Sequence, residues 1–436
     1  MSQFVTSPGI RAVAAHVWRQ QVLDLVRGAT FIGALLLAWL SLHPFADLGR
    51  LQLSNIAEGS ETITYLAFGG FAVLGVLLVM RDDWQGLKSL LTPSFVLFGA
   101  WLCVTVVLSF DPSTSLKRFA LTIAVMTTAA AVMLLPKTQE ELARWFAIAA
   151  LIVLALCFIG IILAPYFAIH QPSDAQEPML AGAWRGVFVH KNKAASVVAV
   201  FVFLGIYVAR SGAWLTGTAI VCLSALFLAG SEGKSAISLC IFVLMLSWMT
   251  SFVTSFGLRA LMLLTPLLLF NLLSVGTVMV QGLADIAKLL PLDTTFTGRS
   301  DIWVFAVQAL QQRLATGYGF SAFWGSSAIQ DLPEGKEWAA FASHSHNGYL
   351  DAALGMGLPG VALLILVLVI VPLRNFQSAD RGGNGGPLTM ALLQIWLFGL
   401  YLSSMESFYL NRAEPLWFTF LLAVFGLHYL ARFRAR

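Results

Sequence analysis

Long apolar stretches separated by short polar connections run through most of the 436-residue chain. About twelve of these stretches are long enough, or nearly so, to cross a bilayer as helices of ~20 residues. Hydrophobic residues make up 58% of the chain and charged residues only 11%, whereas a soluble domain carries about 25% charged residues. The pattern predicts an all-α polytopic membrane protein that forms one integral membrane domain over residues 1–436. The stretches lie near residues 29–45, 62–80, 93–110, 119–135, 145–165, 194–209, 214–230, 235–253, 257–280, 348–373, 387–405 and 413–431.

The placement of lysine and arginine predicts how this bundle is oriented. Arg11, Arg19 and Arg27 precede the first apolar stretch, and further arginines crowd the C-terminus. Basic residues favour the cytoplasmic side, and an even number of helices returns the chain to the side where it began. We therefore expect both termini to be cytoplasmic. No A-x-A-like cleavage site follows the first apolar stretch, so we expect it to remain as a membrane helix.

Two of the outer loops are long under this orientation, residues 166–193 and residues 281–345. The larger loop contains a pattern typical of an amphipathic helix, which Ser300 is predicted to cap and in which Asp301 suits the positive N-terminal end. Trp303 and Phe305 are predicted to lie at the membrane interface. Long loops in compact proteins are usually functional or disordered, and the aromatic content of this one argues for function.

Cationic and polar side chains collect at the predicted outer helix ends. The positive-inside rule disfavours such enrichment in short outer loops, so we expect an anionic ligand there. Arginine binds phosphate oxygens bidentately, and several cations together suit a pyrophosphate. Anchoring to phospholipid head groups is the alternative for any one of these residues taken alone. The set comprises Lys117, Arg118, Arg185, His190, Lys191, Asn192, Lys193, Lys234, Arg299, His346, Asn347 and Arg412.

The segment His344-Ser345-His346-Asn347 lies where the long polar loop meets an apolar helix. Histidine is the side chain best suited to take a proton from a hydroxyl near neutral pH. We rank His346 first as a base, with His190 and His344 as further candidates. The alternative interpretation is a polar helix cap followed by glycines that allow close helix packing.

Acidic residues carry information through their positions. None of the 22 Asp and Glu residues lies in the middle of an apolar stretch, whereas ion-coupled carriers usually need carboxylates there. No DxD-like pair occurs in the outer loops, so we expect no metal and no other cofactor, and cationic side chains would stabilise a phosphate leaving group. The net charge of +4 is scattered between apolar stretches, which predicts no binding of nucleic acid.

Several short motifs in chain order resemble those of a known family. Residues 186–192 read G-V-F-V-H-K-N, residues 297–303 read T-G-R-S-D-I-W, and residues 317–319 read G-Y-G. His346-Asn347 is followed after nine residues by Gly357, and a weaker S-F-D-P segment at 109–112 precedes Arg118. Together, over roughly residues 95–430, these motifs resemble the O-antigen ligase / Wzy-type polymerase superfamily, and most closely its ExoQ-type exopolysaccharide polymerases.

The resemblance implies a glycosyltransferase that acts on undecaprenyl-pyrophosphate-linked oligosaccharides at the periplasmic face of the bacterial inner membrane. It implies no nucleotide sugar and no metal, and its expected partners are membrane lipids, a chain-length regulator and export machinery. We expect polymerisation of lipid-linked repeat units, with His346 as base and Arg299 at the leaving pyrophosphate. Transfer of the glycan to lipid A core is the nearer alternative, and transport of the lipid-linked oligosaccharide is the alternative from a different class. The residues expected to bind pyrophosphate or glycan are Arg118, Arg185, His190, Lys191, Asn192, Lys234, Asn347 and Arg412.

Overall fold

Helices build the chain throughout the part described by the computed structural model, which covers residues 8–40, 44–49, 53–174, 177–289, 298–324, 329, 342–411 and 414–434. Their order is α1 (Pro8–Trp39), α2 (Leu53–Asp82), α3 (Trp84–Ser89), α4 (Pro93–Val107), α5 (Pro112–Met133), α6 (Gln139–Leu163), α7 (Pro165–Ala168), α8 (Lys191–Arg210), α9 (Trp214–Ser231), α10 (Lys234–Met249), α11 (Phe256–Leu273), α12 (Val275–Met279), α13 (Gln281–Leu289), α14 (Arg299–Gln312), α15 (Gly348–Ile365), α16 (Val371–Ala379), α17 (Pro387–Leu402) and α18 (Pro415–Leu430).

Nine helical runs in these described ranges are long and apolar enough to cross a membrane. Eight of them fall on residues 15–39 of α1, residues 62–82 of α2, and on α5, α6, α8, α9, α10 and α11. The ninth runs from Gly348 to Asn384 through α15 and α16. The prediction of an all-α polytopic membrane protein is thereby confirmed. Three shorter apolar helices, α4, α17 and α18, belong to the same bundle, and the number of twelve spans stays a prediction.

Polar contacts show which helix ends lie together. Asn347, directly before α15, donates to the carbonyl oxygen of Ser404, directly after α17. Lys193 in the first turn of α8 forms an ion pair with Glu414, the residue before α18. The starts of α8, α15 and α18 and the end of α17 therefore share one end of the bundle, which we call the site end. Arg27 of α1 pairs with Asp82 at the end of α2, away from this end, as alternating helix directions require.

A smaller apolar cluster joins α14 to α15 at the site end. Trp303 and Phe305, expected at the membrane interface, are only 2% and 8% exposed because they pack in this cluster against Leu350 and Leu354. The predicted cap is also wrong. The N-cap position of α14 is occupied by Gly298, with φ of 86°, which has no side chain to cap the helix. Ser300 falls inside the first turn.

A kink in α15 makes room for the segment that follows α14. Gly357 has φ of 67°, and a Cβ atom there would collide with the carbonyl group of Ala315. The Leu358 amide donates to the Leu314 carbonyl at 2.8 Å, so the segment lies against the helix backbone. Only glycine combines this backbone conformation with such a close approach. The last glycine of the His346 motif thus has a packing role.

Candidate functional site

His346 is presented by a short segment that hydrogen bonds fix from two sides. The Asp351 carboxylate in the first turn of α15 accepts from the Ser345 amide at 3.1 Å, and Trp303 Nε1 donates to the Ser345 carbonyl at 2.9 Å. Trp324 Nε1 donates to Asp351 at 2.7 Å. His346 itself has φ of 55°, a left-handed conformation that is uncommon for residues other than glycine. The fixed segment holds the imidazole where it is 33% exposed.

Asn347 is the N-cap of α15 and is 1% exposed. Its Oδ1 accepts from the backbone amides of Tyr349 and Leu350, and its Nδ2 donates to Ser404 O at 3.2 Å and to Asn271 Oδ1 at 3.1 Å. Every polar atom of this amide is engaged within the protein. The cap interpretation therefore describes Asn347 well, and the predicted contact with substrate does not suit it.

Glu406 joins the two residues that the sequence pointed to most strongly. Its Oε2 lies 3.3 Å from His346 Nδ1, and its Oε1 lies 3.3 Å from Arg299 Nη2. Arg299 Nη1 also donates to the carbonyl oxygen of Met405 at 2.5 Å. The 403–411 segment thus brings a carboxylate between the imidazole and the guanidinium. Because histidine Nδ1 faces the carboxylate, Nε2 is the ring nitrogen that we assign to a substrate.

The charges around this carboxylate set its protonation. Burial favours the neutral acid, but the His346 hydrogen bond and the charge of Arg299 outweigh it, so the pKa of Glu406 is lowered from its ordinary 4.5. Burial, together with the neighbouring charge of His346, lowers the pKa of His344. The His344 ring stacks edge-on against that of His346, with centroids 4.1 Å apart, and its Nδ1 accepts from the His346 amide. His344 is thereby a neutral acceptor that supports His346.

Arg118 lies at the same end of the bundle, in the second turn of α5. Its Nη1 donates to the carbonyl oxygen of Ser321. One turn further along α5, Thr122 reaches the carbonyl oxygen of Leu410 at 3.4 Å, so this part of the helix borders the segment that carries Glu406. Among the predicted cations in the described ranges, Arg118 is the one besides Arg299 whose helix borders the segment that carries Glu406.

A second polar cluster surrounds the start of α8. His170 Nδ1 lies 2.7 Å from Asp174 Oδ2, while its Nε2 accepts from the Lys191 amide at 3.3 Å. His190, the N-cap of α8, accepts from the Asn192 amide on Nδ1 and lies 2.7 Å from Glu177 on Nε2. The His190 ring therefore has a partner at each nitrogen. His170, Asp174 and Glu177 had no sequence signal that distinguished them from other loop residues.

Arg185 lies beneath this second cluster and is 1% exposed. Its Nη1 donates to Phe188 O at 3.0 Å, and its Nη2 donates to Ala46 O at 2.6 Å. Burial lowers the pKa of its guanidinium. The predicted binding of pyrophosphate by Arg185 is not supported by this placement, because the side chain ties the loop before α8 to the 44–49 segment instead.

The remaining predicted residues differ in exposure. Lys191 is half-buried, Asn192, Lys117 and Lys234 are exposed, and Lys193 is paired with Glu414. Arg412 lies outside the described residues. Among the residues that are described, no group of three or more His, Cys, Asp or Glu side chains is arranged to hold a metal ion.

Comparison with known proteins finds one family and one curated relative that are similar to parts of this chain. The model of a family described as O-Antigen ligase matches residues 217–365, a range that includes Arg299 and His346. A segment of 99 residues is 31% identical to the exopolysaccharide production protein ExoQ of Rhizobium meliloti. That alignment covers 20% of this chain and spans 22% of ExoQ. The resemblance drawn from the sequence motifs is confirmed by both matches.

Proposed function

We propose, from the similarity of this chain to the O-antigen ligase family and to ExoQ, that it is a membrane glycosyltransferase of the inner membrane. It polymerises undecaprenyl-pyrophosphate-linked oligosaccharide repeat units into exopolysaccharide at the periplasmic face, with both termini in the cytoplasm. A chain-length regulator and export machinery are its proposed partners. The observation that carries the proposal is the single carboxylate of Glu406 between His346 and Arg299, because it combines a base with a cation in one half-buried cluster.

The reaction is a single displacement at the anomeric carbon of the donor. A hydroxyl of the acceptor glycan attacks this carbon, and His346 Nε2 takes the hydroxyl proton as the new glycosidic bond forms. The bond between the anomeric carbon and the phosphate oxygen breaks, and the lipid pyrophosphate departs with the electron pair. Inversion at the anomeric carbon follows.

Glu406 holds the imidazole in the tautomer that has its proton on Nδ1 and stabilises the imidazolium that forms, as the carboxylate of a catalytic triad does. Arg299 is proposed to meet the pyrophosphate, since a guanidinium bound to one carboxylate and one carbonyl retains further N–H donors. A pyrophosphate bound to Arg299 would compete with Glu406 for the guanidinium. The carboxylate would then interact with His346 alone. Arg118 adds a second cation, and Lys191, Lys234 and Arg412 are further candidates from the sequence.

Reconstitution tests this proposal. The purified protein in liposomes receives the cognate lipid-linked repeat unit in the presence of a chelator, and the products are separated by size. A ladder of longer glycans still attached to lipid is the expected result. Transfer only after lipid A core is added would mean a ligase, which the name of the matched family also favours. Movement of the repeat unit across the bilayer without any transfer would mean a transporter and would overturn the proposal.

A further inference from the structure

Asn271 is a polar residue near the site end of α11, a mostly apolar helix whose one charged residue, Arg259, lies near its opposite end. Only 17% of the apolar span of this helix is buried within the protein. Side chains such as Leu268 and Leu269 are 59% and 50% exposed. The polar amide of Asn271 is turned the other way, toward the His346 region. A polar side chain on a lipid-exposed helix usually has a partner that explains it.

The contacts of Asn271 reach both segments of the candidate site. Its Nδ2 donates to Ser404 Oγ at 2.7 Å and to Leu267 O at 2.9 Å, and its Oδ1 accepts from Asn347 Nδ2 at 3.1 Å. Because a carbonyl oxygen only accepts, the contact with Leu267 fixes which end of the amide is Nδ2. Asn347 in turn donates to Ser404 O, which closes a ring of three residues.

Two members of this ring are close neighbours in the chain of the base and its carboxylate. Asn347 follows His346 in the chain, and Ser404 precedes Glu406 by two residues. The 3.3 Å contact between His346 and Glu406 therefore depends on how these two segments are held relative to each other.

We propose that Asn271 is a positioning residue that fixes the segment carrying His346 against the segment carrying Glu406. This inference rests on the proposed transferase function, in which the two side chains act together. Asn271 touches neither His346 nor Glu406 in the described contacts, so its effect passes through Asn347 and Ser404. Displacement of reacting groups by about 1 Å through a distant substitution can cost 10²-fold in rate.

The test replaces Asn271 with leucine, which keeps the size and removes the hydrogen bonds. The matched control is Leu272→Ala on the neighbouring lipid-facing position, which is 38% exposed. In the liposome transfer assay, Asn271→Leu is expected to lower kcat by about 10- to 100-fold with little change in KM, because only the arrangement of the reacting groups is disturbed. The same substitution should add no further loss to the residual rate of a His346→Ala variant.

A second readout does not depend on transfer. Carbethoxylation of His346 by diethyl pyrocarbonate, followed by peptide mass spectrometry, is expected to become several-fold slower in Asn271→Leu, because Nε2, the nitrogen that reacts, is a better nucleophile while the Glu406 carboxylate is held on Nδ1. The exposed His16 serves as the reference. Wild-type rates of both transfer and labelling in Asn271→Leu would overturn the positioning role.

The two proposals can fail separately. If the wild-type protein transfers no glycan, the proposed function fails, and the labelling of His346 alone then decides the role of Asn271. If Asn271→Leu does not fold, Ser404→Ala removes the same 2.7 Å hydrogen bond from its other partner and carries the same expectations. Unchanged transfer and labelling in that variant would also overturn the inference.

Discussion

His346 and Glu406, 60 residues apart in the chain, meet with Nδ1 of the imidazole 3.3 Å from Oε2 of the carboxylate. The other carboxylate oxygen faces Arg299. An imidazole held in this way has one nitrogen committed to the protein and the other assigned to a substrate. This arrangement gives each residue a distinct expected phenotype.

Glu406→Gln is expected to lower the transfer rate by about 10²- to 10⁴-fold while leaving the fold intact. The amide keeps the size of the carboxylate but offers no charge to stabilise the imidazolium and no fixed choice of tautomer. Single-turnover transfer in liposomes measures the effect. Glu177→Gln is the matched control, because it makes the same change at the His190 contact. Equal losses in both variants would contradict the special place of Glu406.

The stability of the site should fall on acidification because of the same carboxylate. Its pKa is lowered in the folded protein from the ordinary 4.5, so its stabilising contribution is complete above that value and is lost as the pH falls toward the lowered pKa. The melting temperatures of wild type and Glu406→Gln, measured from pH 7 to pH 3, should therefore converge at the acidic end. A gap that widens on acidification would mean the opposite sign for the shift.

The choice between His346 and His344 as the base can be tested by substitution. His346→Ala is expected to fold and insert normally yet lose about 10²- to 10⁴-fold in transfer, the usual contribution of a general base. His344→Asn should keep most of the activity, because the amide can still accept from the His346 backbone amide. Both variants are compared in the liposome assay, with His16→Ala as a control. Full activity of His346→Ala would end its assignment as the base.

Much of the fold follows from the sequence because lipid-facing helices need only length and apolar side chains, and both are local properties. His346, Arg299 and the glycine at 357 were also marked by local motifs. Glu406 carried no motif of its own, and nothing local connects it with a histidine 60 residues earlier. The burial of Arg185 was likewise hidden, since its partner Ala46 lies 139 residues away in the chain.

Gly357→Ala is expected to destabilise the protein and to impair transfer together. The positive φ costs an alanine about 1–3 kcal/mol, and the collision with Ala315 adds a similar amount through overpacking. Thermal unfolding in detergent measures the first effect and the liposome assay the second. Gly99→Ala in α4 is the control, because an added Cβ there meets nothing within 4 Å. Equal melting temperatures for the two variants would contradict the kinked geometry of α15.

Substitution of Arg185 is expected to lower mainly stability, and substitution of Arg299 mainly activity, although the sequence motifs suggested one role for both. Arg185 is 1% exposed and serves two backbone carbonyls, so Arg185→Met should leave these groups unsatisfied at a cost of about 1–3 kcal/mol each. The Arg299 side chain is 25% exposed beside Glu406 and so less buried than Arg185, and Arg299→Met should therefore lose transfer with a smaller change in melting temperature.

Initial transfer rates at saturating and limiting donor, set beside melting temperatures of the same preparations, distinguish the two arginines. For Arg185→Met we expect a lower melting temperature, with the surviving folded protein transferring at nearly the wild-type rate. For Arg299→Met we expect a deficit that saturating donor does not restore, because the guanidinium acts on charge that develops as the pyrophosphate leaves. If Arg185→Met instead lost transfer at an unchanged melting temperature, its guanidinium would have to turn toward the substrate, and the loop before α8 would have to open during the reaction.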